Sequence, residues 1–163
     1  MRLPVSARFV KWVLPIAVAI GLTACSSDEV ETYQERPVEQ LYNEALAALN
    51  NEEYLVAAQG FDEVERQHPY SVWSTKAQLM SSFAYYQSNK YDQAILAAER
   101  FIELHPGNKD VAYAHYLIAI SYYEQITDVQ RDQRITQLAL ESLQEVVRRF
   151  PDTSYARDAR LKV

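Results

Sequence analysis

The sequence contains one thiol, three imidazoles and twelve phenols, and these groups bound the chemistry open to it. The thiol is Cys25. It directly follows Leu22, Thr23 and Ala24, at the end of an uncharged, mostly apolar run over residues 12–23 that Arg2, Arg8 and Lys11 precede. A single Cys allows no intrachain disulfide and no thiolate metal cluster. His68 and His105 each stand before a Pro at the end of a helical stretch, where an imidazole can offset the negative end of a helix. His115 stands alone. No HExxH, GxSxG or phosphate-loop pattern occurs, and Asp128 and Asp132 lack the spacing and central Gly of a calcium loop. The reading is therefore of a chain with no catalytic group, no metal site and no cofactor, so the roles of the thiol and the tyrosines must come from where they stand.

The basic start and the 12-residue apolar run are too short for a comfortable membrane span, which needs about 20 apolar residues. They read as a secretory signal over residues 1–24 rather than a single-pass anchor. The ending at Ala24-Cys25 resembles the bacterial lipobox, in which the Cys is lipidated and becomes the new N-terminus. Several acyl chains, at about 0.8 kcal/mol per buried methylene, make such an anchor stable. Ser26, rather than Asp, follows the Cys. That resemblance implies the periplasmic face of the outer membrane. Loss of residues 1–24 removes three bases and no acid, taking the formal charge from −6 to −9. Such a surface suits neither nucleic acid nor anionic headgroups. Residues 25–37 are polar and acidic and read as the lipidated Cys and its tether.

The groups beyond this point are positioned by a repeat. Tyr54, Ala57 and His68-Pro69 return 37 residues later as Tyr91, Ala94 and His105-Pro106, and Tyr85-Tyr86 returns as Tyr122-Tyr123. Within each period the apolar residues fall at helical spacing, and Asn50-Asn51 or Ser88-Asn89-Lys90 interrupts them. Each unit is thus two helices and a turn, which cannot bury its apolar face alone and must stack on its neighbours. The expected fold is all-α, with units over 38–70, 71–107 and 108–152 and the start of a fourth over 153–163. Asn108 is expected to cap the first helix of the third unit. That unit is eight residues longer than the period, and the excess falls between Ile126 and Ile135. Residues 153–163 form a first helix without its second, so the chain is expected to continue beyond Val163.

Small residues at Ala45 and Ala57, an aromatic at Tyr54 and the closing Pro69 resemble the tetratricopeptide repeat. In that family the first helix of each unit lines a concave surface. Carried over position by position, the resemblance implies a peptide-binding groove from Tyr42, Lys76, Phe83, Tyr86, Gln87, Tyr116 and Tyr123, joined by Leu46, Leu49, Asn50, Leu79, Tyr113, Ile120 and Glu124. The alternative for each Tyr is packing between units. Tyr91, on a second helix, is expected to belong to the outer scaffold.

The lipobox, the acidic tether and the run Asp128-Val129-Gln130-Arg131-Asp132-Gln133, with Arg148-Arg149-Phe150-Pro151 after it, together resemble the BamD family of outer-membrane assembly lipoproteins. That resemblance implies a non-enzymatic member of the Bam complex, bound to the barrel-forming subunit and accessory lipoproteins. It also implies binding of unfolded outer-membrane β-barrel proteins for insertion. Asp128, Arg131 and Asp132, on an inserted loop, are the expected partner contacts. The competing reading is a repeat lipoprotein that recruits cell-wall or envelope-division proteins.

Overall fold

A computed structural model describes residues 35–126 and 133–163, so Cys25 and the loop residues Asp128, Arg131 and Asp132 lie outside the described residues. Seven helices follow one another among the described residues: α1 (Val38–Asn50), α2 (Tyr54–Gln67), α3 (Val72–Gln87), α4 (Tyr91–Leu104), α5 (Val111–Glu124), α6 (Gln133–Arg149) and α7 (Ser154–Lys162). None is long and apolar enough to cross a membrane.

The turn inside each of the first two units is set by a left-handed residue. Glu52 has φ 62° and Asn89, one period later, φ 60°. At the first turn the Glu53 amide bonds the Ala48 carbonyl at 2.9 Å and the Glu52 amide bonds that of Leu49 at 3.1 Å. Lys90 and Asn89 repeat this on Tyr85 and Tyr86 at 2.9 and 3.0 Å. These paired bonds close the last carbonyls of α1 and α3 in the Schellman arrangement and reverse the chain.

Between units, Pro69, Pro106 and Pro151 stop α2, α4 and α6, since proline cannot continue the backbone bonding. Ser71 and Thr153 then open α3 and α7, their hydroxyls accepting from the amides of Ser74 and Ala156 at 3.0 and 3.1 Å. Asn108 does not repeat this role. The residue that precedes α5 is Asp110, which makes no side-chain cap. Asn108 Oδ1 accepts instead from the Asp110 amide at 2.9 Å, a turn two residues ahead of the helix.

His68 and His105 do not face their own helix carbonyls. The His68 ring lies 2.7 Å from the Arg36 carbonyl and the His105 ring 2.9 Å from Gln78 Oε1, so His68 ties the end of α2 to the segment entering α1 and His105 ties the end of α4 to α3. In the third unit Phe150 takes the histidine's place and His115 takes that of Gln78. There the bond becomes a ring contact at 5.3 Å.

Packing runs between chain neighbours, with a further layer of contacts linking α1 to α3, α3 to α5 and α5 to α7. The second helices α2, α4 and α6 make no such contacts with one another. First helices that touch along the stack while second helices splay apart curve the solenoid with α1, α3, α5 and α7 inside. The core lies between the layers, at Leu41, Ala57, Phe61 and Val64 in the first unit, Ala98, Phe101, Ala114 and Ile118 in the middle, and Leu143, Val146, Ala156 and Ala159 at the end. Phe61 and Val64 become Ala98 and Phe101 one period on, all four buried, so bulk moves one turn along the second helix.

At one crossing the helices meet backbone to backbone. A Cβ on Gly60 would lie 2.9 Å from Ala45 Cβ and 3.3 Å from Ala45 Cα, so α2 passes α1 at a point where no side chain fits.

Candidate functional site

The inner helices carry more polar surface into the core than their apolar spacing suggests. On α3, Ser74, Gln78, Ser81 and Ser82 are buried. Except at Ser74, whose hydroxyl has no partner among the described residues, groups on the outer helices offset the cost: Ser81 and Tyr85 donate to Asp62 at 2.5 and 2.6 Å, Gln78 donates to Glu65 at 2.9 Å, and Ser82 donates to the Ala94 carbonyl at 2.9 Å. Burial and the Asp62 carboxylate push the Tyr85 phenol up to about 12, so it stays a neutral donor. Tyr85 thus bonds α3 to α2. Its neighbour Tyr86 turns to the other side of the helix.

On that side the tyrosines converge. The Tyr86 ring lies 5.9 Å from Tyr91. Tyr113 and Tyr116 sit on the ring of Tyr155, at 5.2 and 5.3 Å. Tyr116 donates to Asp158 at 2.5 Å, and Lys162 reaches the same carboxylate at 2.7 Å with its ammonium 5.8 Å from the centre of the Tyr123 ring. The Lys162 and Tyr116 bonds lower the Asp158 carboxyl. The phenols move the other way. Tyr86 is raised by burial, then by Glu124, Tyr91 and Asp158, and Tyr116 by burial, then by its bond to Asp158. Tyr113 is raised chiefly by burial. All are neutral hydroxyls near neutral pH, set in an anionic surround.

Three of the expected groove residues, Tyr86, Tyr116 and Tyr123, therefore share this neighbourhood, and Tyr123 and Glu124 are exposed in it. Phe83 and Gln87 are half-buried on α3. Ile120 is buried at 6% exposure and offers nothing to a ligand. Tyr42 and Lys76 form a separate group: Tyr42 packs on Phe61 and Trp73 at 5.4 and 4.8 Å, and Lys76 lies over Trp73 at 5.4 Å. Ten helical residues, about 15 Å of axis, separate Lys76 from Tyr86.

Two placements were not expected. Tyr91 begins an outer helix, yet its ring lies on Tyr86 at the rim of the inner face rather than in the scaffold alone. Tyr155 stands four residues after Pro151, as Trp73 stands four after Pro69, and Tyr116 is two periods on from Tyr42. The contact of Tyr116 with Tyr155 is thus the Tyr42–Trp73 contact repeated between later units. Tyr42 and Tyr116 join units, while Tyr86 and Tyr123 border open surface. The period contained the signal for Tyr155.

What this face can do follows from its groups. It has ring surfaces, hydroxyl donors and carboxylates, a set suited to holding side chains of an extended chain. Among the described residues no three or more His, Cys, Asp or Glu side chains are grouped to hold a metal ion.

Residues 34–163 match the family described as YfiO, outer membrane lipoprotein. Similar curated proteins include the outer membrane protein assembly factor BamD of Caulobacter vibrioides, 48% identical over 151 residues, covering 91% of this chain and 50% of that protein. BamD of Rickettsia prowazekii is 36% identical over 148 residues, covering 91% of this chain and 59% of that protein. BamD of Neisseria gonorrhoeae is 30% identical over 164 residues, covering 91% and 61%. The chain thus spans about half to three fifths of the length of these relatives.

Proposed function

This chain belongs to the YfiO outer membrane lipoprotein family, and from that membership we propose that it serves the Bam complex as a non-enzymatic, lipid-anchored component on the periplasmic face of the outer membrane. In this role it holds unfolded β-barrel proteins before their insertion and contacts the barrel-forming subunit and accessory lipoproteins. The relatives named as assembly factors support the assignment to assembly. The observation that carries the binding role is the inner layer of first helices, with the rings of Tyr86 and Tyr123 bordering its open surface.

An extended segment lying across α3, α5 and α7 would set aromatic or aliphatic side chains against these rings, while the phenol hydroxyls donate to its backbone carbonyls. Rigid aromatics contribute much contact area at little entropy cost. Asp128, Arg131 and Asp132, outside the described residues, are proposed as the contact with partner subunits, because insertions in a solenoid emerge on one face. Cys25 is the proposed site of lipidation.

The test is binding of an aromatic-rich C-terminal peptide from a barrel protein. Tyr86→Ala together with Tyr123→Ala should weaken binding by about tenfold or more, with helicity unchanged by circular dichroism. Unaltered affinity in a folded variant would sink the groove. For the anchor, Cys25→Ser should abolish incorporation of labelled palmitate and release the protein from the membrane fraction.

A further inference from the structure

The repeat provides an internal comparison for what the open rim between α3 and α5 is missing. At the end of the stack, the Lys162 ammonium lies over Tyr123 and bonds Asp158. It stands in the last turn of α7, where a cation also meets the negative end of the helix. One unit earlier, Tyr86 holds the place of Tyr123 and is likewise half-open. The place of Lys162 is there taken by Leu117, which is fully buried and cannot serve. Neither α3 nor α5 has a basic residue in its last turn. Glu124 ends α5 exposed, and its negative charge reaches both Tyr86 and Tyr91. The earlier corner has two aromatic rings, a carboxylate and the C-terminal ends of α3 and α5, which favour positive charge. The N-terminus of α4 at Tyr91, with the exposed Lys90 before it, opposes them in part, and no cation lies over the Tyr86 or Tyr91 ring among the described residues.

We propose that the corner formed by Tyr86, Tyr91 and Glu124 receives the cationic side chain, Lys or Arg, of the extended polypeptide that lies along the inner face. Lys162 on Tyr123 and Asp158 is the built-in example of the same contact. The proposal rests on the groove reading above and adds to it a charge requirement. Aromatic side chains of the client settle on the rings, and one basic side chain, held over Tyr86 and paired with Glu124, sets its register.

The experiment uses the whole chain and a set of aromatic-rich peptides carrying one Lys at successive positions, each matched by a peptide with Gln there. One position should favour Lys by about five- to tenfold, the scale of a cation–π contact joined to a partly exposed ion pair. Glu124→Gln should collapse that ratio toward one, and Glu124→Lys should make a Glu peptide the preferred ligand. If no position distinguishes Lys from Gln, or if the preference survives Glu124→Gln, the inference is wrong. The groove reading stands in that case provided Tyr86→Ala still weakens every peptide. If no peptide binds at all, the groove reading falls. The corner is then tested alone by titrating N-acetyl-arginine amide and following the ring resonances of Tyr86 and Tyr91. Shifts that Glu124→Gln removes support it, and unmoved resonances overturn it.

Discussion

Gly60→Ala places a methyl group where two helices already touch. By intrinsic propensity the change should help, since Ala in a helix interior is favoured over Gly by about 1 kcal/mol. The structure opposes it. The new carbon would stand 2.9 Å from Ala45 Cβ and 3.3 Å from Ala45 Cα. Carbon pairs prefer about 3.5–4.0 Å, so α1 and α2 must part by roughly 0.5 to 1 Å at their crossing. A gap of that size forfeits about a quarter to a half of the attraction between the atoms it separates. The atoms concerned belong to a core with Leu41 at 2% exposure and Ala57 and Phe61 at 0%. Overpacking costs about 1–3 kcal/mol, so the net effect is a loss of about 1 kcal/mol, opposite in sign to propensity. The assay is urea unfolding followed by far-ultraviolet circular dichroism, on Gly60→Ala, Ala45→Gly and the pair. Ala45→Gly opens the crossing, so the double variant should be more stable than the two single changes sum to, by about 1–2 kcal/mol. A Gly60→Ala protein that gains stability, with no coupling to Ala45, would refute the close approach and the helix spacing built on it.

Glu52 pays for a left-handed backbone that Asn89 adopts more readily, so Glu52→Asn or Glu52→Gly should raise the urea midpoint, by roughly 0.5–1 kcal/mol. Phe101→Ala, at a site 1% exposed, should cost about 3–5 kcal/mol and be read as a shift in the same midpoint. The Glu63 carboxyl is held at about 2, from 4.5, chiefly by its bond to Arg66. A depressed carboxyl adds stability that is complete above its unfolded value and lost as pH falls through the folded one. Glu63→Gln should therefore flatten the decline in thermal midpoint between about pH 4.5 and 2.

The elements that sequence revealed are those whose cause is local. Pro69, Pro106 and Pro151 stop helices where they occur, and the 37-residue return of Tyr54 and His68 marked the first two pairs of helices. Family membership over residues 34–163 bears out the resemblance to that family, whose late motif lies within the match. Less was legible where the cause is tertiary. Nothing near Ser74 or Ser81 announces that they are buried, because the partner of Ser81 is Asp62 on another helix. His105 read as a helix-end cation, yet Gln78 claims its ring. Tyr91 read as scaffold because it starts an outer helix, and the turn through Asn89 swings it onto Tyr86. Asn108 has the composition of a cap two residues too early.

The unequal layering of the solenoid has a consequence for how the chain tolerates change. Because α1, α3, α5 and α7 abut in series, a displacement of one is handed to the next, and the inner face behaves as an alignment shaft. The outer helices have no such line, so α6 can run to 17 residues against 14 in α2 and α4 without disturbing another outer helix. Variation in length and loops can therefore accumulate on the outside, one unit at a time, while the spacing of the rings along the inside stays fixed.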